Sequence, residues 1–254
     1  MPRRRINPAL AAAALACAAA WCADPILRIP PVTTTVDVQG QPVRVTVAGD
    51  LFASGAPGGE ELIDLHLRAD LADFQQKLTP ILEAQLNQAN RCGERLTVLN
   101  ATLAPAEPAA LLMLTAHVEK WGCAKAFGKE IVKRLVGGDG KIGVRLTPQV
   151  ENGAGVKLNA EVTSIDADGS LGEMLRSGPF ADSMREKIRQ TVVKAVERST
   201  DFKTMLPAAA QQLVSIHEVR FGDGGEGRLA LTVTSQARVP EREARELLEK
   251  LRAR

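Results

Sequence analysis

The residues whose type and spacing point most directly to chemistry are two cysteines. Cys92 and Cys123 lie in the body of the chain, far from either end. In an oxidising compartment such a pair forms a disulfide by default, and the alternative is two separately buried thiols. Closing a loop of this length would stabilise the fold by roughly 3–4 kcal/mol. The spacing is unlike the Cys-x-x-Cys of redox proteins, so we expect a structural Cys92–Cys123 disulfide.

Metal ligands are not grouped along the chain. A zinc site takes about four ligands, whereas the histidines stand singly at His66, His117 and His217. The segment around Gly169 resembles a calcium loop, but the bidentate glutamate that ends such a loop would fall at Leu175. We therefore expect no metal and no cofactor.

Two loop motifs of enzymes are incomplete or missing. The stretch 122–129 is similar to a phosphate-binding loop, but five residues separate Gly122 from Gly128 where four are required. Glu130 also replaces the hydroxyl residue that would hold magnesium. No Gly-x-Ser-x-Gly elbow occurs. We expect a protein that is not an enzyme.

The composition argues against nucleic-acid binding. The chain has 32 Lys and Arg against 30 Asp and Glu; without the three arginines near its start the balance is 29 against 30, a net charge of −1. A nearly neutral body has no global field that draws in a polyanion. Aromatic residues make up 3% of the chain and tyrosine is absent, which leaves few rings to stack on bases.

Residues 1–23 have the pattern of a secretory signal peptide. Arg3, Arg4 and Arg5 precede an apolar run over 9–20, which is too short for a membrane span of about 20 residues. Cleavage after Ala20 would release a periplasmic protein. Alternatively, the segment 14–17 resembles a lipobox, in which Cys17 is lipidated and anchors the protein to the outer membrane. We expect an exported protein, periplasmic or outer-membrane-anchored, and both modes of processing stay open.

Alternation of apolar and polar residues predicts strands over much of the body. They are expected near 32–38, 43–47, 62–69, 95–103 and 111–118. Further strands are expected at 131–136 and 142–146 around a turn at Gly137–Gly140, and at 156–165, 214–221 and 229–233. Most are joined by short turns, which predicts antiparallel hairpins.

Two stretches change to helical spacing. In the first, which Asp70 can cap and Pro80 is expected to kink or break, the apolar positions include Phe74, Leu78, Leu82 and Leu86. In the second, which begins at Pro179, they include Phe180, Met184, Ile188 and Val192. A charged helix over 240–254 is expected to end the chain.

These elements predict an α+β fold in a single domain over residues 24–254. The expected architecture is a curled, mostly antiparallel sheet wrapped on two long amphipathic helices, plus the C-terminal helix. The apolar helix positions have two interpretations: they are ordinary core, or they line an aliphatic groove between helix and sheet. Such a groove suits acyl chains better than sugars or nucleobases. On this second interpretation the ligand-binding candidates are Phe74, Leu78, Leu82, Leu86, Phe180, Met184, Ile188 and Val192.

The order of elements resembles that of a known family. A strand-rich segment leads to Asp168-Gly169-Ser170-Leu171-Gly172, an amphipathic helix, Leu206-Pro207, the strand Val219-Arg220-Phe221 and a Gly-rich turn. The pattern is similar to the TULIP superfamily of tubular lipid-binding proteins, in particular its small uncharacterised bacterial envelope members. The resemblance implies a highly curved antiparallel sheet around a long helix, a hydrophobic tunnel, and binding or transfer of lipid without catalysis.

The leading functional hypothesis is therefore an exported, non-catalytic envelope protein that binds or transfers lipid or another apolar ligand. Its partners would be lipid or a hydrophobic small molecule, with membrane contact only through a lipid anchor at Cys17. The alternative is an envelope lipoprotein that acts as a scaffold or assembly factor through protein–protein contacts. No nucleic-acid partner is expected.

Overall fold

The computed structural model describes residues 24–55, 60–87, 92–127, 129–153, 155–197 and 214–240. The predicted signal peptide over 1–23, with the lipidation candidate Cys17, lies outside the described residues. The same holds for Leu206-Pro207 and for residues 241–254 of the predicted C-terminal helix.

One sheet is built from both ends of the described chain. Its strands are β1 (Leu27–Val38), β2 (Gln41–Gly55), β3 (Glu60–Asp70), β8 (Val214–Asp223) and β9 (Leu229–Pro240). They lie in the order β1-β2-β3-β9-β8, and all neighbours are antiparallel. Val43 and Val45 are buried while Arg44 between them is exposed, as the alternation of a half-buried strand requires.

The second sheet is a simple antiparallel meander. It consists of β4 (Gly93–Ala106), β5 (Ala109–Ala126), β6 (Lys129–Glu151) and β7 (Gly155–Ala167), in that order. β5 has 18 residues and β6 has 23, whereas β4 has 14 and β7 has 13. The central pair is therefore longer than the strands on either side of it.

Three helices pack on these sheets. α1 (Ala72–Leu86) follows β3, and the Asp70 carboxylate accepts the N–H of Ala72 at 2.8 Å. Of the kink or break expected at Pro80, the break does not occur, because the helix runs through this residue. α2 (Gly169–Arg176) and α3 (Pro179–Glu197) follow β7. α1 packs against β2 and β4 and so bridges the two sheets, while α3 packs on β7 and touches α1.

The main core is one apolar cluster shared by the helices and both sheets. It joins buried residues of α1 and α3 with strands of both sheets, among them Val45, Leu112 and Phe221. Burying an aliphatic side chain of this size contributes roughly 1.5–3 kcal/mol. The helices are therefore held by the sheets on which they lie.

The predicted α+β fold class is wrong. Strands take up 67% of the described residues and helices 22%. In that part of the chain, three helices of 15, 8 and 19 residues lie on two antiparallel sheets, and no single curled sheet wraps around two long helices. The strands are longer than predicted because they run through residues that usually interrupt them, such as Pro30 and Pro31 in β1 and Pro148 in β6.

The largest local difference concerns Gly137–Gly140, which we expected to form a turn. These residues lie inside β6, where Gly138 pairs with Val118. A Cβ at Gly137 would lie 3.3 Å from Cγ of Glu119, so this glycine allows a close approach within the sheet. The chain reverses instead between Ala126 and Lys129, which pair with each other.

Candidate functional site

The helix positions predicted as ligand contacts lie in the interior. Each is at most 9% exposed, and all belong to the main core cluster. They are Phe74, Leu78, Leu82 and Leu86 on α1, with Phe180, Met184, Ile188 and Val192 on α3. The structure brings the two stripes together, since α1 and α3 touch. A ligand would reach these side chains only after the helices part from the sheets, so their role as ligand contacts stays a prediction.

The predicted disulfide is confirmed. The Cys92–Cys123 bond spans 31 residues and joins the residue just before β4 to β5. Gly93 pairs with Trp121 at the end of the ladder between β4 and β5. The bond therefore fastens β5 to the start of β4.

Beyond the disulfide, β5 and β6 continue as a two-stranded projection. In the described residues, β4 pairs with β5 only as far as Trp121, and β7 pairs with β6 only from Gly140 onward. Residues 122–127 and 129–135 form the projection, which we call the distal hairpin. Its paired part runs from Gly122 with Lys133 to Ala126 with Lys129, a length of roughly 14 Å at the usual rise of a strand.

One face of the distal hairpin carries exposed aliphatic side chains. Ile131 is 53% exposed and Leu135 is 62% exposed. Ile131 shares a face with Lys129 and Lys133, because side chains two positions apart on a strand point to the same side. Leu135 lies at a bulge, where the register passes from Trp121 with Arg134 to Lys120 with Val136, so its side is given by its contact with Gly122. A Cβ at Gly122 would lie 3.2 Å from Cδ1 of Leu135, which places this leucine over the glycine. We call this surface the open face; it consists of Gly122, Ala124, Lys129, Ile131, Lys133 and Leu135.

The open face continues the core side of the sheet. Along β5, Ala110, Leu112, Leu114, Ala116 and Val118 are buried and point inward. Next in this alternation is Lys120, whose Nζ lies 5.1 Å from the ring centroid of Phe180 at the start of α3. Gly122 and Ala124 follow with the same alternation. The sheet thus presents its apolar side to solvent beyond the start of α3.

On the opposite side of the sheet, the base of the distal hairpin is held by internal interactions, and Val132 further out is 36% exposed. The Arg95 guanidinium lies 4.4 Å from the ring centroid of Trp121. Trp121 Nε1–H donates to Oε2 of Glu119 at 2.9 Å, and Nη1 of Arg134 lies 3.1 Å from Oε1 of the same carboxylate. These hydrogen bonds, from Trp121 first and Arg134 second, hold the pKa of Glu119 below its ordinary value. Together with the disulfide they brace the base of the hairpin.

The two faces also differ in charge compensation. On the opposite face, Arg134 is paired with Glu119, and Lys125 stands opposite Glu130 in the register. On the open face, Lys129 and Lys133 stand opposite an alanine and a glycine. Neither lysine takes part in an ion pair with the described residues. The open face is therefore both apolar and cationic.

The cleft between β7 and α3 offers a different kind of surface. Its volume is about 380 Å³, and charged residues form most of its wall. Arg185 lies 3.2 Å from Asp182, and Arg189 lies 2.6 Å from Glu186. Hydrogen bonds from Arg189 and then Gln190 lower the pKa of Glu186 to about 2. Two acidic and two basic side chains of the cleft are thus paired with each other, which makes its wall polar.

The His117 imidazole and the sulfurs of Cys92 and Cys123 also interact with neighbouring side chains. His117 lies between two carboxylates, 2.6 Å from Asp139 and 3.7 Å from Glu119, and no described hydroxyl or thiol joins it as a nucleophile. The sulfurs of Cys92 and Cys123 lie with the Glu130 carboxylate within 4.8 Å of one another, the spacing of metal ligands. Because the sulfurs are bonded to each other, they offer no thiolate to a metal.

The open face was missed because of the turn expected at Gly137–Gly140. With a turn there, 131–136 becomes a short strand beside the core, and its apolar residues count as core. The available signal was the alternation of cationic and aliphatic side chains at Lys129, Ile131, Lys133 and Leu135. A buried strand face would not carry two lysines without partners.

The described part of the chain contains no helix with both the length and the apolar composition needed to cross a membrane. The resemblance to the TULIP superfamily stays a prediction. No family model, no curated protein and no solved structure matches the chain.

Proposed function

We propose that this chain is an exported, non-catalytic protein that binds lipid, and that it contacts lipid bilayers through the open face of the distal hairpin. One observation carries the proposal: Ile131 and Leu135 are both more than half exposed on a projecting hairpin. Clustered exposed apolar side chains usually mark a contact surface. Lysines beside them suit a bilayer, since their stems lie on apolar surface while the amines reach the headgroups.

Phe127 adds an exposed aromatic side chain at the end of the hairpin. Its side chain is fully exposed, and its φ of 52° belongs to the reversal between β5 and β6. Phenylalanine together with lysine is common in segments that bind at the membrane interface. Full transfer of Phe127, Ile131 and Leu135 from water to hydrocarbon would contribute roughly 1.5–3 kcal/mol for each side chain. Partial insertion of the three is enough for a reversible contact.

The ligand is lipid, as in the sequence-based hypothesis, but the proposed binding surface is the open face and no longer the apolar helix positions. The tunnel implied by the family resemblance needs a single curled sheet, which the described residues do not form. The sequence also predicted membrane contact only through Cys17. A hairpin contact would add a second place at which the protein touches the membrane.

The disulfide supports the exported part of the proposal. A structural disulfide is typical of proteins that fold in an oxidising compartment. Together with the predicted signal peptide, it supports a periplasmic or outer-membrane-anchored location. There the hairpin would have a membrane surface within reach.

Vesicle co-sedimentation tests the proposal. All variants carry Cys17→Ser, so that no acyl anchor can form, and any background from the rest of the chain is common to all. Phosphatidylcholine vesicles containing phosphatidylglycerol serve as the probe. The double variant Ile131→Ser/Leu135→Ser is expected to lose about tenfold or more in affinity, because serine removes the inserting surface. Its free energy of unfolding should stay within about 0.5 kcal/mol of the parent's, since both positions are exposed.

The matched control is Val32→Ser/Leu99→Ser. Val32 is 57% exposed on β1 and Leu99 is 49% exposed on β4, so this variant loses two aliphatic side chains of similar exposure outside the distal hairpin. It should bind vesicles as the parent does. Equal losses in the two double variants, or no loss in either, would overturn the proposal.

A second candidate is an envelope scaffold that binds proteins through the same hairpin. In the described residues, neither strand of the distal hairpin has a neighbour on its outer side, and an exposed strand edge can accept a strand from a partner. A photo-crosslinking residue at position 131, activated in intact membranes, separates the two functions. Lipid adducts support the lipid-binding function, whereas protein adducts without lipid adducts support the scaffold.

A further inference from the structure

We propose further that the open face selects anionic phospholipid of the phosphatidylglycerol kind, and that Lys129 and Lys133 provide this selectivity. The inference rests on the proposed function and deepens it, because it names the headgroup that the open face binds. Two observations carry it: among the described residues the two lysines of the open face have no counter-ion, and they alternate with the aliphatic side chains that would enter the bilayer.

The uncompensated charge is local. The whole chain is nearly balanced, with 32 basic against 30 acidic residues, and the opposite face of the hairpin pairs Arg134 with Glu119. On the open face, the register partners of Lys129 and Lys133 carry no carboxylate. This face therefore presents two positive charges for which the described residues supply no counter-ion. An anionic headgroup supplies one at the place where the aliphatic side chains meet the bilayer.

The spacing along β6 fits a bilayer surface. Lys129 and Lys133 are four positions apart on one strand, or roughly 13 Å, with Ile131 midway between them. Each lysine thus stands about 7 Å from an aliphatic neighbour on the same face. The amines can rise to the headgroup plane while Ile131 and Leu135 stay at the acyl boundary. A fluid array of headgroups can adapt to this alternation without a preformed pocket.

The opposite face of the distal hairpin is unsuited to contact with an anionic membrane. It carries the disulfide, the ion pair between Arg134 and Glu119, and the carboxylate of Glu130. Bringing carboxylates against an anionic surface is unfavourable, and desolvating the ion pair adds to the cost. The hairpin would therefore lie with its open face toward the membrane.

Charge variants test the selectivity, again in the full chain with Cys17→Ser. Vesicle affinity is measured on phosphatidylcholine alone and on phosphatidylcholine with phosphatidylglycerol. Each lysine near an anionic surface is expected to contribute roughly fivefold in affinity. Lys129→Gln/Lys133→Gln should therefore lose about thirtyfold on the anionic vesicles and change little on phosphatidylcholine. The preference of the parent for anionic vesicles should also weaken as salt is added.

The matched control removes the same charge elsewhere. Lys141→Gln/Lys157→Gln changes a lysine of β6 whose register partner is Asp166 and a lysine of β7 that lies 3.7 Å from Glu151. It should keep the parent's preference for anionic vesicles. If both double variants lose that preference equally, general charge explains it and the inference is overturned.

The remaining outcomes separate this inference from the proposed function. If the parent binds both vesicle types equally and Ile131→Ser/Leu135→Ser binds neither, the headgroup inference falls and the lipid-binding function stands. If the parent binds no vesicles, both fall. If the parent ignores vesicles but binds polyglutamate, and Lys129→Gln/Lys133→Gln does not, the open face belongs to an acidic protein partner and both proposals are overturned.

Discussion

The helix stripes and the distal hairpin are built from the same kinds of aliphatic residue, yet only the stripes are covered. Leu82 on α1 and Ile188 on α3 are fully buried, whereas Ile131 and Leu135 on β6 are more than half exposed. The stripes lie against two sheets, while the hairpin extends beyond both neighbouring strands. An apolar pattern therefore identifies a face whose burial is favourable. Whether the protein itself buries that face depends on the tertiary structure.

The largest change in the free energy of unfolding should come from a substitution in the buried helix stripes. Leu82 is 0% exposed in the main core, so Leu82→Ala leaves a cavity and should lower the free energy of unfolding by about 2–5 kcal/mol. Urea denaturation measures the change. Folded Leu82→Ala protein should still bind vesicles. A loss below about 1 kcal/mol would mean that the stripe is loosely packed, and it would favour the groove interpretation of the helices.

Removing the disulfide at the base of the distal hairpin should give the next largest change in the free energy of unfolding. Replacing the disulfide by Cys92→Ser/Cys123→Ser should lower the free energy of unfolding by about 2–4 kcal/mol, because the unfolded chain regains the freedom of the closed loop. The parent treated with a reducing agent provides an independent control and should fall to a similar stability. Unchanged stability in both samples would show that the bond does not brace the fold.

A substitution of Asp73 at the start of α1 should change the free energy of unfolding by a smaller amount. Asp73 accepts a hydrogen bond from Lys77 Nζ at 2.8 Å and one from the Arg44 N–H at 2.7 Å, and both lower its pKa below 3.8. Since the folded-state pKa is the lower one, this stabilisation is complete above the unfolded-state pKa and is lost as pH falls through the folded-state pKa. Asp73→Asn should cost about 1 kcal/mol at neutral pH.

Denaturation at neutral and at strongly acidic pH checks this dependence. The gap in stability between Asp73→Asn and the parent should close as pH falls below about 4. Ile131→Ser/Leu135→Ser should follow the parent at every pH, because the open face carries no carboxylate. A gap that stays constant down to low pH would show that the carboxylate charge of Asp73 does not stabilise the fold.

Local features were accessible from the sequence because their signals are local. Pro179 marks the first residue of α3 as predicted, and the Asp70 carboxylate bonds to the first turn of α1. The pairing of Cys92 with Cys123 followed from the expected oxidising compartment. Each of these predictions depends on a few residues and on chemistry that holds wherever they lie in the fold.

The division into two sheets was not accessible in the same way. β9 pairs with β3, so that Leu231 lies beside Ala69 although most of the chain separates them. Alternation along a strand does not say which strand is its neighbour. The glycines at 137–140 added to the error, because a glycine that allows close packing in a strand has the same sequence signature as one that forms a turn. Both errors hid the distal hairpin.

Insertion of the open face into a bilayer is most directly measured by tryptophan fluorescence with phospholipids brominated on their acyl chains. Ile131→Trp places the fluorophore on the open face, and Leu99→Trp places one at a similarly exposed position of β4. Lipid insertion predicts that Ile131→Trp is quenched beyond the signal of the parent's own tryptophans, whereas Leu99→Trp is not. Equal quenching of the two variants, or none in either, would contradict the central claim.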